Sequence, residues 1–183
     1  MPDWCENRVR IAGDPGLVRD FAEMIDTRKR GGSGRGGGCA FDFDRILPMP
    51  PSLDLTERCS AGLARAAGLL ESGGEAALAA AVAAGRLAAG DASLALAYAA
   101  NLREHGARSW YDCRLAHWGV KWQPCGVERR GPSPGVVAYR FFTAWGPPAG
   151  VARRVRELLA AAAVDWRVHA PGLPPHIELA LFE

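Results

Sequence analysis

The chain has 183 residues, of which 49% are hydrophobic and 23% charged, and its formal net charge is +2. This length is close to that of a single domain and is enough to bury a core without disulfide or metal staples. The composition excludes a disordered chain, a coiled coil and a disulfide-rich miniprotein. The small net charge also excludes a nucleic-acid binder that uses its whole surface, whereas a local basic patch stays open.

Nothing in the first residues is typical of a secretory signal, because residues 1–12 are rich in charge and lack an apolar stretch. The longest apolar segment, residues 76–100, is built of Ala and interrupted by Arg86 and Asp91, so we do not expect it to cross a bilayer. Five irregularly spaced cysteines favour reduced thiols. We therefore expect a cytoplasmic protein that does not contact membranes.

A strand and a helix are predicted at the start of the chain. Polar and apolar residues alternate through residues 5–11, which is the period of a half-buried strand. Asp14 then precedes Pro15 as an N-cap precedes the first helical residue, and Leu17 and Phe21 follow at helical spacing.

A glycine-rich loop is predicted at residues 28–38. Its glycines disfavour regular structure, since each adds backbone entropy that folding must remove. Its cations are Arg28, Lys29, Arg30 and Arg35. The loop is either a plain flexible connection or a segment that contacts phosphate or an acidic surface.

The composition then shifts to Ala, Leu and Gly, from about residue 53 to residue 106. Alanine is the best helix former, and the glycines at 73–74 and 90 interrupt the run, so we predict two or three helices. Asp91 is expected to cap the last of them, and Gly106 to end it. We interpret this segment as a helical insertion within one domain spanning residues 1–183.

The remaining pattern predicts a helix, two strands, a helix and two strands, at residues 108–118, 120–127, 136–143, 147–162, 164–168 and 177–181. Without the insertion, the order of the predicted elements is that of the ferredoxin-like split βαβ arrangement. That is an α+β fold with helices on one face of an antiparallel sheet.

Four segments carry a resemblance to a known family. They are Met1-Pro2-Asp3-Trp4-Cys5-Glu6-Asn7, Phe41-Asp42-Phe43 with Ile46-Leu47-Pro48-Met49-Pro50, Trp118-Gly119-Val120-Lys121-Trp122, and Thr143-Ala144-Trp145-Gly146-Pro147-Pro148. In this order they resemble the YubB-type ferredoxin-like family. The departures are mild: Asp3, Val120, Gln123 and Gly146 stand where that family usually has Asn, Thr, Asn and Ser. The resemblance implies a ferredoxin-like fold and a gene carried by plasmids or phages, and it implies no catalytic residue.

Strand alternation predicts a basic sheet face. If the apolar residues of each strand face the helices, one set of cations shares the opposite face: Arg8, Arg10, Lys121, Arg140 and Arg167. Such a face could bind nucleic acid or an acidic protein. Glu6, Asp165 and Glu178 fall on the same side, so a solvated, salt-bridged face is the other interpretation.

The aromatic residues around the centre of the chain also have two interpretations. Trp110, Tyr111, Trp118, Trp122 and Trp145 could form a surface that stacks bases or binds a protein, or they could pack in the core. Core packing is the favoured interpretation, with Trp110 as the residue expected to be exposed.

No catalytic or cofactor motif is found, and we predict no catalytic residue, cofactor or metal. Cys113 and His117 lie four residues apart, with His105 and Cys125 elsewhere, and this set could hold a metal or supply a nucleophile and its base. Asp42 and Asp44 would share one strand face if that segment is extended. The favoured interpretation makes the first set structural and the two aspartates solvent-facing.

We therefore predict a non-enzymatic accessory protein of a phage or plasmid that binds a host macromolecule, with a host protein complex as the expected partner. An inhibitor of CRISPR or restriction machinery fits that habitat. The predicted binding residues are Arg8, Arg10, Arg28, Lys29, Arg30, Arg35, Trp110, Lys121, Arg140 and Arg167. A nucleic-acid-binding protein that uses the same cations, and an enzyme or metal-binding protein, are the alternatives.

Overall fold

The computed structural model describes residues 2–28, 39–170 and 179–181. Its helices and antiparallel sheet confirm the predicted α+β class. The chain forms two compact units, one from Met1–Pro48 with Arg114–Glu183 and the other from Met49–Cys113. Most of the glycine-rich loop, including Lys29, Arg30 and Arg35, lies outside the described residues.

The first unit contains a five-stranded antiparallel sheet. Its strands are β1 (Trp4–Ala12), β2 (Cys125–Ser133), β3 (Val136–Ala144), β4 (Ala163–His169) and β5 (Leu179–Ala180). Their order across the sheet is β2-β3-β1-β4-β5, and every neighbouring pair is antiparallel. The strand β1 is therefore central, and both β3 and β4 pair along most of its length.

Helices cover one face of this sheet. They are α1 (Pro15–Ile25), α2 (Phe43–Ile46) and α6 (Ala149–Leu158). As predicted, the Asp14 carboxylate caps α1, accepting from the Leu17 amide at 2.9 Å. The buried side chains of α1 and α6 share one core with the apolar residues of the central strands, which include Val9, Ile11, Tyr139, Phe141, Trp166 and Val168. The other face of the sheet is left to the polar residues of the alternation.

The second unit is helical. It contains α3 (Ala61–Ala83), which kinks at Gly74, and α4 (Ala89–His105). Its small core consists mainly of Leu and Ala from these two helices. The boundary between the units falls within α5 (Trp110–Trp118).

Several predicted details were wrong. Asp91 does not cap α4, because the helix already begins at Ala89; its carboxylate instead lies 3.6 Å from Arg58.

The strand predicted at residues 120–127 begins only at Cys125. Gly119 has a φ of +86°, which turns the chain out of the preceding helix, and Pro124 supplies no amide for a ladder. In the part of the chain that the structure describes, no helix is both long and apolar enough to cross a membrane.

Candidate binding surface on the sheet

The face of the sheet opposite the helices carries a cluster of arginines, which we call the arginine face. It consists of Arg8, Arg10, Arg130, Arg140 and Arg167, with the carboxylates of Glu6, Glu128 and Asp165 among them. These residues share a face because side chains two apart on a strand, and side chains in register on neighbouring strands, point the same way. A shallow groove of about 410 Å³ runs over this face and is lined by all five arginines.

Three arginines form a row across the middle of the sheet. In register, Arg8 on β1 is opposite Arg140 on β3 and opposite Arg167 on β4. Neighbouring strands lie about 4.8 Å apart, so the Cα atoms of the three arginines lie within about 10 Å. Like charges directly opposite one another destabilise a sheet. This row therefore opposes folding unless anions lie close to it.

Two glutamates supply part of that negative charge. Arg140 donates from Nε to Glu6 Oε1 at 2.8 Å and from Nη2 to Oε2 at 3.2 Å, and Arg8 Nε donates to Glu6 Oε1 at 2.7 Å. Hydrogen bonding from Arg140, assisted by Arg8, lowers the pKa of Glu6 to about 2. Glu128 lies 3.4 Å from Arg140 and 3.0 Å from Arg130.

Arg10 and Arg167 lie at the other end of the face. Arg167 pairs with Asp165, two residues away on its own strand, at 3.2 Å. Arg10 is exposed and faces Asp165 in register, yet its guanidinium makes no ion pair within residues 2–28, 39–170 and 179–181. Among the described residues, five guanidinium groups share this face with three carboxylates; Glu178, expected on the same face, lies outside those residues.

The ring of Phe142 lies on this face and is covered by a cation. The guanidinium carbon of Arg140 lies 5.0 Å from the centroid of the Phe142 ring. A cation over the ring occupies the surface on which a base would stack.

Other predicted binding residues lie elsewhere. Arg28 pairs at 2.6 Å with Asp26, whose pKa its hydrogen bond lowers. Trp110 is half-buried, not exposed. Lys121 was wrongly placed on the sheet face, since it precedes β2. Arg130 was missed because the predicted strand stopped at residue 127; the Arg-Arg pair before the Gly-Pro turn was the available signal.

Two tryptophans expected in the core are exposed. Trp122 is 42% exposed and Trp145 is 53% exposed, and their ring centroids lie 5.0 Å apart. The Lys121 ammonium lies 4.4 Å from each ring centroid. We call these three residues the tryptophan cluster.

Asp42 and Asp44 are neither on a strand nor simply solvent-facing, contrary to both interpretations of the sequence. Asp42 caps α2, and one amide group of Gln123 donates at 2.9 Å to a carboxylate oxygen of each aspartate. Burial raises the pKa of Asp44, and Arg114 at 3.1 Å opposes that shift. The arrangement joins α2 to the segment before β2, which is a structural role.

The proposed metal set does not come together. Cys113 is buried whereas His117 is exposed. Among the described residues, no group of three or more His, Cys, Asp or Glu side chains could hold a metal ion.

The sequence matches no family model. No curated protein matches it significantly either. The fold is similar to the crystal structure of the protein api92 from Yersinia pseudotuberculosis, of the family DUF1281, with a TM-score of 0.48 and 11% sequence identity. The similarity covers 94% of this chain and 92% of that one. At this level it carries no argument about function.

Proposed function

We propose that this chain is a non-enzymatic binding protein whose arginine face contacts an acidic surface of another protein. The observation that carries the proposal is the row formed by Arg140, Arg8 and Arg167 in register across three strands. A row of like charges costs stability within the isolated fold, and Glu6, Glu128 and Asp165 offset part of that cost. A bound partner that brings carboxylates to the row would offset that cost and gain affinity from it.

A protein partner fits this face better than nucleic acid does. Glu6, Glu128 and Asp165 alternate with the arginines and would repel a continuous phosphate backbone. A protein surface can place its own cations opposite these carboxylates and its carboxylates opposite the arginines. The covered ring of Phe142 also favours a protein partner, because single-stranded nucleic acid is usually held on open aromatic rings.

The finer fold assignment is part of the proposal. We propose a ferredoxin-like arrangement for β1 to β4, supported by their order β2-β3-β1-β4 and by the helices that follow β1 and β3 along the chain. Membership of the YubB-type family and a gene on a phage or plasmid are proposed on the four matching segments. An inhibitor of host CRISPR or restriction machinery would need only a surface of matched shape and charge, as proposed here.

Capture of a partner from a bacterial lysate tests the proposal. The immobilised chain is exposed to lysate with and without nuclease, and the retained proteins are identified at physiological ionic strength. We expect defined proteins to be retained after nuclease treatment, and Arg8→Glu to lose them. The fold should tolerate this variant, because the new carboxylate lies between Arg140 and Arg167 and relieves their repulsion.

Arg153→Glu is the matched control, since it makes the same charge change at an exposed arginine on α6, the helical side of the sheet. Retention should be unchanged in this control. Equal loss in both variants would mean that net charge alone governs binding. Retention that disappears with nuclease would assign the arginine face to nucleic acid, and binding would then weaken steeply with salt.

A further inference from the structure

We infer that the tryptophan cluster is a second contact site for a protein partner, one that takes a peptide segment with a carboxylate beside an apolar side chain. The inference rests on the proposed function in one respect, that the partner is a protein. It concerns residues that the arginine face does not include.

Exposure of this cluster is the first observation. Trp122 and Trp145 are 42% and 53% exposed, although they contact each other with ring centroids 5.0 Å apart. Large aromatic side chains gain most by burial, so two adjacent exposed indoles leave a large apolar area in water. Tryptophan is also among the residues most enriched at the energetic centres of protein interfaces.

Backbone strain at Trp145 is the second observation. Its φ is +66°, and it is the only residue other than glycine with a positive φ in the part of the chain that the structure describes. A bulky side chain in the left-handed region is strained, and such strain persists only where neighbouring contacts impose it. A glycine would occupy this position without strain. The backbone conformation at Trp145 therefore costs the fold stability, although 53% of the side chain is exposed.

A set of hydrogen bonds holds this strained turn in place. The Trp145 amide donates to the Asp3 carbonyl at 2.8 Å, and the Thr143 hydroxyl donates to the Gly146 carbonyl at 2.7 Å. Thr143 is fixed in turn by the buried Asn7, whose amide group donates to its hydroxyl at 2.9 Å. The turn is thus preorganised by the core, and binding would cost little further ordering of Trp145.

The charge at the cluster defines the chemistry of the occupant. The Lys121 ammonium lies over both rings, 4.4 Å from each centroid, so positive charge is held on the same indoles that stay 42% and 53% exposed. Apolar side chains of a partner would cover the indoles, and a carboxylate beside them would meet the ammonium. A peptide with a cation in the same place would be repelled.

Selection from a random peptide display library on the immobilised full chain tests this inference. We expect the enriched peptides to contain Asp or Glu next to an aliphatic or aromatic residue. Binding of a synthetic peptide from that set should weaken about 30-fold in Trp145→Gly and in Trp122→Ala, the loss typical of an interface residue that dominates affinity. The melting temperature of Trp145→Gly should equal or exceed that of the wild type, because glycine relieves the strain.

Leu158→Ala is the control, since Leu158 is an apolar residue of α6 that is 37% exposed. Its affinity should match that of the wild type. If Trp145→Gly does not fold, Trp122→Ala alone decides the outcome.

Each other outcome overturns the inference. These outcomes are no enriched peptide, enriched peptides without acidic residues, affinity that survives both tryptophan substitutions, or capture of single-stranded oligothymidine by the same two residues. If Arg8→Glu no longer binds the peptides while both tryptophan variants still do, the peptides bind the arginine face. That result would contradict only the role of the tryptophan cluster. Loss in the tryptophan variants without loss in Arg8→Glu is the expected result, and it leaves the arginine face to its own test.

Discussion

Arg140 holds both carboxylate oxygens of Glu6 across the β1–β3 pair, with distances of 2.8 Å from Nε to Oε1 and 3.2 Å from Nη2 to Oε2. A guanidinium that meets a carboxylate in this two-point geometry forms a strong and geometrically specific ion pair. Because Arg140 belongs to the row of arginines, the pair keeps Glu6 charged and places its negative charge next to the row. The same pair makes the stability of the sheet depend on pH.

Glu6→Gln should remove part of that pH dependence. The pKa of Glu6 is lowered from its ordinary value of 4.5 to about 2, so the unfolded chain takes up this proton at higher pH than the folded chain. The contribution of Glu6 to the free energy of unfolding is therefore complete above about pH 4.5 and is lost as the pH falls towards 2. Urea unfolding at a series of acidic pH values should give a shallower loss of stability for the variant; parallel curves would contradict this.

Asn7→Ala should lower the free energy of unfolding by about 2–4 kcal/mol, because it leaves buried polar groups without partners. The Asn7 side chain accepts from the Trp166 indole at 3.1 Å and donates to Thr143 and to the Cys5 carbonyl, at 2.9 and 3.1 Å. Equilibrium denaturation in urea measures the loss. A loss below about 1 kcal/mol would show that these groups find other partners.

Gly150→Ala should cost about 3 kcal/mol or more, since the added methyl group would overlap backbone atoms. A Cβ at this position would overlap the carbonyl oxygen of His117, so α6 would have to move away from the end of α5. Gly68→Ala is the control: nothing lies within 4 Å of its added Cβ, and better helix propensity should stabilise α3 by about 0.5–1 kcal/mol. Thermal denaturation should therefore move the two melting temperatures in opposite directions.

Gln123→Glu should destabilise the protein at neutral pH and much less in acid. The Gln123 amide group lies 2.9 Å from both Asp42 and Asp44, and a carboxylate in its place would repel them. Protonation of the new carboxylate restores a hydrogen-bond donor, so the loss of stability relative to the wild type becomes smaller as the pH falls. Comparing wild type and variant at neutral and acidic pH checks this sign, and a deficit independent of pH would contradict it.

Tyr139→Phe should leave stability unchanged or raise it by up to about 1 kcal/mol. The Tyr139 hydroxyl is buried and has no hydrogen-bond partner in the part of the chain that the structure describes. Burial also raises the pKa of Tyr139 to about 12, so the group stays protonated and its charge plays no part at neutral pH. A loss of more than about 1 kcal/mol in urea denaturation would reveal a partner for this hydroxyl.

Strand alternation predicted the placement of the arginines from local information. Once Val9 and Ile11 were placed in the core, the period of two put Arg8 and Arg10 on the opposite face, and the same reasoning located Arg140 and Arg167. The helix cap at Asp14 was equally local, because the residues that form it are adjacent in the chain.

The tryptophan cluster could not be predicted in this way. Alternation assigned Trp122 to the core only because residues 120–127 were taken as one strand, whereas β2 begins at Cys125. Exposure of Trp145 depends on a positive φ that no local rule predicts for a bulky side chain. Its conformation is imposed by hydrogen bonds to Asp3 and within the Thr143–Gly146 turn, contacts that depend on the folded sheet.

A single side chain joins the two ends of the second unit. Asn101, buried in α4, donates at 2.9 Å to the carbonyl of Ser52, near the start of the Met49–Cys113 segment, and at 3.0 Å to the carbonyl of Arg108, near its end. One side chain thus holds together the two points where the chain arrives and departs. The entropy lost by closing a loop grows only with the logarithm of its length, so a segment whose ends already meet can be lengthened, shortened or replaced at small cost. A change in the length of α3 would therefore leave this closure in place, since Asn101, Ser52 and Arg108 lie outside that helix.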